Sequence, residues 1–383
     1  MKVFTNANIN PITSPKIVNG MILIDQGKIV EVGKNIDYPA NTEIIDLEGS
    51  DVYPGFIDGH SHLGVNERAI GSVGRDGHDE TSPCTPHFRV CDGANPNDDA
   101  FDIALKGGIT TAILSPSSGI GSVVPGMMTA IKTFGNYIDD MIIKEQVAIR
   151  CTLGPAAKFP ALIIQRYPSS RTSLSAVLRE VLLKTMQYKA KKDSNISQPF
   201  SLAMEAMLPV INKEIPLVVH ANLKEDIFTA IRIKKEYDVN LVLLFVAEGH
   251  LIADQLASED IEVLVGPVYQ GHTRPEFRYH SKEVAAVLSN KGFDIGIIGN
   301  SGNSKSDSIS IQASLAINEG LDRQKALEAI TINPAKIYNI SDKVGSIEVG
   351  KDADFVVCQG DLFSRSAIIK SVYVNGRLAY SKN

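Results

Sequence analysis

His60 and His62 stand two residues apart at the end of the apolar run "PGFIDGHSHLG", residues 54–64. Side chains on a β-strand alternate with period two, so both imidazoles leave the same face. Such a pair suits a divalent metal, and water bound to a metal can be acidified enough to act as a nucleophile near neutral pH. His220 ends a second apolar run, "PLVVHAN", and reads either as a third ligand or as a histidine satisfied within the fold. Cys84 and Cys91 are close in sequence, but the four cysteines (Cys84, Cys91, Cys151 and Cys358) show no CxxC spacing.

Strand ends matter for where these histidines fall. From residue 53 to about 340, short apolar runs such as "TTAILSP", "VAIRCTLGP", "PLVVHAN", "NLVLLFVAEG", "IEVLVGP" and "FDIGIIGNSG" alternate with helical segments. The clearest helix spans Ser173–Lys189, with Leu174, Val177, Leu178, Val181 and Leu182 in a 3.6-period stripe and Ser173 as a plausible N-cap. Repeated strand–helix units predict a parallel sheet, and about eight of them predict an α/β fold of the (β/α)₈ TIM-barrel type. In such a barrel the chemistry sits at the C-terminal ends of the strands. Both chain ends are β-rich instead, with hairpin signals at Gly27-Lys28 and Asn375-Gly376. The expected organisation is a small composite β-sandwich from residues 1–52 and 344–383 beside a barrel over 53–343.

Composition narrows the function class. The 383 residues are 44% hydrophobic and 21% charged, ordinary for a globular protein with a sizeable core. The net charge is −6 and no basic run exceeds Lys189–Lys192, which argues against a nucleic-acid partner. No apolar run reaches membrane-spanning length, and "MKVFTNANINP" lacks the apolar core of a signal peptide. These features predict a reduced, cytoplasmic protein; the partner expected is a small-molecule substrate or ligand, and a homo-oligomer is left open.

"PGFIDGHSH" and the C-terminal "AITINPAKIYNISDKVGSIEVGKDADFVV" resemble the amidohydrolase superfamily, metal-dependent barrels beside a small β-sandwich built from both ends. "DETSPCTPHFR", "NPNDDAF", "GGITTAILSPSS" and "GHLIADQLA" are similar to its imidazolonepropionase-related branch. The resemblance implies a metal set of HxH after the first barrel strand and a Glu or carboxylated Lys after the fourth. Histidines after the fifth and sixth strands, and an Asp after the eighth that also serves as general base, complete it. His60, His62 and His220 match that set. "GPAAKF" puts Pro155 at the Glu, "FVAEGH" puts Phe245 at the sixth-strand His, and "GNSG" puts Asn300 at the general-base Asp. Pro155 and Phe245 offer no side-chain ligand, and an amide such as Asn300 does not accept a proton near neutral pH. Lys158 could be carboxylated to stand in for the bridge, or could be a surface lysine. At most one divalent metal is therefore expected, Zn²⁺ on His60, His62 and His220, or none.

The resemblance also carries Glu80, His87, Arg89, Lys132 and Arg171 to the barrel mouth as substrate-binding residues. Arg89 and Lys132 read either as partners of an anionic ligand group or as partners of Asp76, Asp79 or Asp92. Two function classes follow. One is a hydrolase acting on a C–N bond of a cyclic or linear amide. The other is a non-catalytic paralogue that keeps the barrel and a ligand pocket without the metal centre.

Overall fold

In a computed structural model, residues 1–67, 70–117, 119, 121–269, 275–299 and 308–382 are described. Asn300 lies outside them. The chain opens with five strands, β1 (Lys2–Ile9), β2 (Ile17–Asp25), β3 (Lys28–Gly33), β4 (Glu43–Asp46) and β5 (Asp51–Pro54). The barrel strands follow: β6 (Phe56–Ser61), β7 (Ile109–Leu114), β8 (Gly126–Lys132), β9 (Ile142–Thr152), β10 (Leu217–Ala221), β11 (Leu241–Phe245), β12 (Glu262–Val265) and β13 (Gly296–Ile297). The chain then returns through β14 (Phe355–Gln359), β15 (Ile368–Val374) and β16 (Arg377–Ser381).

Strands from the two ends share one sheet, ordered β16-β15-β14-β5-β1-β2-β3 with β4 beside β1. Its joint is the antiparallel pairing of β5 with β14, Tyr53 opposite Val356. Neither end carries enough apolar surface for a core alone, and together they bury Phe4, Phe355 and Tyr373 with ring centroids 4.8–4.9 Å apart. Two-residue hairpins close β2–β3 and β15–β16, with positive φ at Gln26 and Gly27 and at Asn375 and Gly376. The first turn thus sits one residue before the Gly27-Lys28 read from the sequence.

The second sheet runs β6 to β13 in chain order and nearly closes on itself. β6, β7 and β10 are buried at every position, as parallel strands covered on both faces must be. Ile57, Ile113, Met128, Ala148, Val218, Leu244, Leu264 and Ile298 fill the interior. The all-parallel expectation is corrected at β8, which runs antiparallel to both β7 and β9. Among the described residues, the links before and after β8 carry no crossover helix long enough to return the chain to a parallel start. Lys132 therefore pairs with Thr111 near the N-terminal end of β7, whereas Gly126 pairs with Arg150 near the C-terminal end of β9.

The long helix begins earlier than its apolar stripe implies, spanning Arg171–Asp193. Ser170 rather than Ser173 is the N-cap. Ser170 accepts from the Ser173 backbone N–H while the Ser173 side chain reaches back, a reciprocal capping box. The five stripe residues are buried, as their period requires.

Candidate functional site at the barrel mouth

β6 delivers His60 as a fully buried side chain and His62 one residue past its end, the two rings 4.8 Å apart. His62 Nδ1 lies 2.7 Å from the Ser115 carbonyl, which accepts a hydrogen bond and so fixes the proton on Nδ1. Burial pushes the His62 imidazole down to about 4, against the pull of the Ser115 carbonyl and with help from the positive charge of Arg150. Burial and the same Arg150 charge hold His60 well below the ordinary histidine range. Both rings are therefore neutral at physiological pH.

His220, at the end of β10, is engaged on both ring nitrogens. Arg150 Nη2 approaches Nδ1 at 3.3 Å and the Asn222 amide approaches Nε2 at 3.0 Å. The guanidinium and the Asn222 amide nitrogen are both donors, so the single lone pair of a neutral ring faces an N–H on whichever nitrogen is unprotonated. In that arrangement His220 offers an incoming metal no lone pair. Phe245 stands between the histidines, its ring centroid 5.3 Å from His60 and 4.3 Å from His220. Its φ of +76°, followed by +55° at Val246, holds two bulky residues in the left-handed region, a conformation that L side chains rarely adopt.

Arg150 is the residue that sequence reading missed. It is 1% exposed and comes from β9, where Ala148 faces the barrel interior while Ile149 and Cys151 face the helices. The signal was a lone arginine at the inward phase of "VAIRCT". Burial lowers its guanidinium to about 10, so it remains charged at neutral pH. Asp58, also buried in β6, accepts from Gly299 N at 3.1 Å and His60 N at 3.3 Å, and burial raises it to about 7.

A divalent ion is a poor fit to these groups. Among the described residues no group of three His, Cys, Asp or Glu side chains could hold one. A fixed positive charge sits on His220, and an apolar ring that cannot replace a metal's water shell adjoins His60 and His220.

Of the other residues carried to the mouth by resemblance, Glu80, Arg89, Lys132 and Arg171 have partners of their own. Arg89 pairs with Glu145 at 3.3 Å and Asp92 at 3.8 Å. With His87 it lines an open cavity of about 670 Å³ in the long segment after β6, together with Asp76, His78 and Asp79. Glu80 lies 3.5 Å from His78, and Arg171 pairs with Asp226 at 3.0 Å. Lys132 departs most from the expectation. It lies at the opposite end of the barrel, held by Asp352 at 2.7 Å and Asp354 at 2.5 Å, because β8 runs antiparallel and carries its C-terminus away from the mouth.

An amidohydrolase from Thermotoga maritima has a solved structure that is 34% identical and superposes with a TM-score of 0.94 over the whole of both chains. An adenine deaminase of Clostridium perfringens is 22% identical over all of this chain and 59% of its own length. An imidazolonepropionase of Streptomyces griseus is 28% identical over a third of each chain. The chain spans 39–59% of the length of the curated relatives that it matches from end to end. The amidohydrolase family model matches residues 52–379, and the chain belongs to that family.

Proposed function

We propose that this chain keeps the family's barrel as a small-molecule binding site and has lost metal-dependent C–N hydrolysis. Members of the family generally use a divalent metal. The observation that carries the reading is the Arg150 guanidinium 3.3 Å from His220 Nδ1, with Phe245 seated against His60 and His220. Pro155 and Asn300 agree with it at the level of sequence, since neither supplies a carboxylate where the family has one. The motifs "DETSPCTPHFR" and "GGITTAILSPSS" make the imidazolonepropionase-related branch the starting point for choosing ligands. The chain divides, in this reading, into 53–343 as the ligand-binding barrel and 1–52 with 344–383 as the sheet unit that supports it.

The second reading is a single-zinc hydrolase of a cyclic or linear amide. It is favoured by the neutral His60 and His62 rings 4.8 Å apart, with Nδ1 of His62 already turned to a carbonyl and Nε2 left to ligate. Elemental analysis of protein purified without chelator, with hydrolysis assays on the same sample, separates the two. The binding reading expects less than about 0.1 metal per chain and no turnover of amides or lactams. One zinc per chain, with turnover lost in His60→Ala, overturns it.

A further inference from the structure

Arg150 presents donors that no described residue uses. Nη2 is tied to His220, whereas Nε and Nη1 are buried without a hydrogen-bond partner among the described residues. No carboxylate among the described residues pairs with this guanidinium, whose surroundings are neutral histidines and the Phe245 ring. Two residues along β9, Thr152 is fully buried, and its hydroxyl also lacks a partner among the described residues. Period-two alternation puts Thr152 on the same inward face as Arg150, one step nearer the mouth, where it pairs in register with His220. His62 and Phe245 on the mouth side are only half-buried, so this face is not sealed.

A buried cation without a counter-charge is costly, and the cost falls when an anion arrives with lone pairs for the open donors. We propose that the inner face of β9 at the barrel mouth binds a small oxyanion, the carboxylate or phosphate of a small-molecule ligand, through Arg150 and Thr152. The inference rests on the reading that no metal occupies the histidines. Guanidinium nitrogens match two oxygens of either anion, and the tether to His220 fixes the plane of the fork before the ligand enters.

Calorimetric titration of the unmodified protein with inorganic phosphate and, separately, with acetate tests it and tells the two anion types apart. Saturable binding of at least one is expected. Arg150→Gln should weaken it by about tenfold or more, and Thr152→Val, which keeps the shape, by a similar or smaller factor. Crystals of the unmodified protein soaked in selenate give a readout that does not depend on either variant folding, with an anomalous peak expected within hydrogen-bond reach of Arg150. Elemental analysis of the same preparation separates the two ideas. A metal-free protein that binds neither anion, or binds them equally well as Arg150→Gln, overturns the oxyanion site alone. A protein that proves metal-loaded overturns the reading beneath it.

Discussion

The barrel holds a buried cation at each end, and the two are treated in opposite ways. At the base, Lys132 is 4% exposed and lies against two carboxylates, Asp352 and Asp354, which stitch the barrel to the sheet made by the chain ends. At the mouth, Arg150 is 1% exposed and, among the described residues, has one hydrogen bond, to the His220 imidazole. Paired buried charge of the first kind is a structural joint, whose loss leaves uncompensated partners. Unpaired buried charge of the second kind contributes little to holding a fold together, and its retention points to a ligand.

Removing the base cation should therefore have the largest effect. Lys132→Met leaves two buried carboxylates facing an apolar side chain and should cost about 3–5 kcal/mol in urea denaturation. Adding Asp352→Asn and Asp354→Asn should recover much of that loss, although Lys28 also holds Asp352 at 2.6 Å. Arg150→Met should cost less than about 2 kcal/mol, because it removes an uncompensated charge and strands only His220 Nδ1. If the two single changes cost the same, the contrast between the ends is lost.

A smaller effect is expected at a third pair. Asp226 is 3% exposed and is pushed up to about 6 by burial, against the pull of the partly exposed Arg171. Between pH 4 and pH 6 the folded state then holds a proton that the unfolded chain has released, so stability from this group falls as pH rises through that window. Asp226→Asn should flatten the dependence of Tm on pH there. A wild-type Tm that rises as pH increases from 4 to 6, with the same slope in Asp226→Asn, would contradict it.

Much of the fold was legible because it rests on patterns that sequence displays. Apolar runs stopping at Gly, Pro or polar residues marked the barrel strands other than β8, and the β-rich ends correspond to the shared sheet. The reversal of β8 was not legible, since "GMMTAIK" is apolar in either direction and its orientation depends on links too short for a crossover helix. Strand ends put His60 and His220 at one end of the barrel, where both rings now meet Phe245. Arg150 was missed because a charge in a buried strand looks like an exception to burial until the inward phase of β9 is known. Lys132 was misplaced for a different reason. Resemblance alone carried it to the mouth, with no strand read for its own stretch of sequence.

Data collected at the zinc absorption edge, from crystals of protein expressed with added zinc and purified without chelator, ask whether guanidinium or metal is the resident cation at the mouth. The expected map has no anomalous peak among His60, His62 and His220, and shows the Arg150 side chain beside His220 Nδ1. A peak about 2.0–2.1 Å from nitrogens of these rings, with Arg150 turned away, would contradict the replacement of the metal by Arg150.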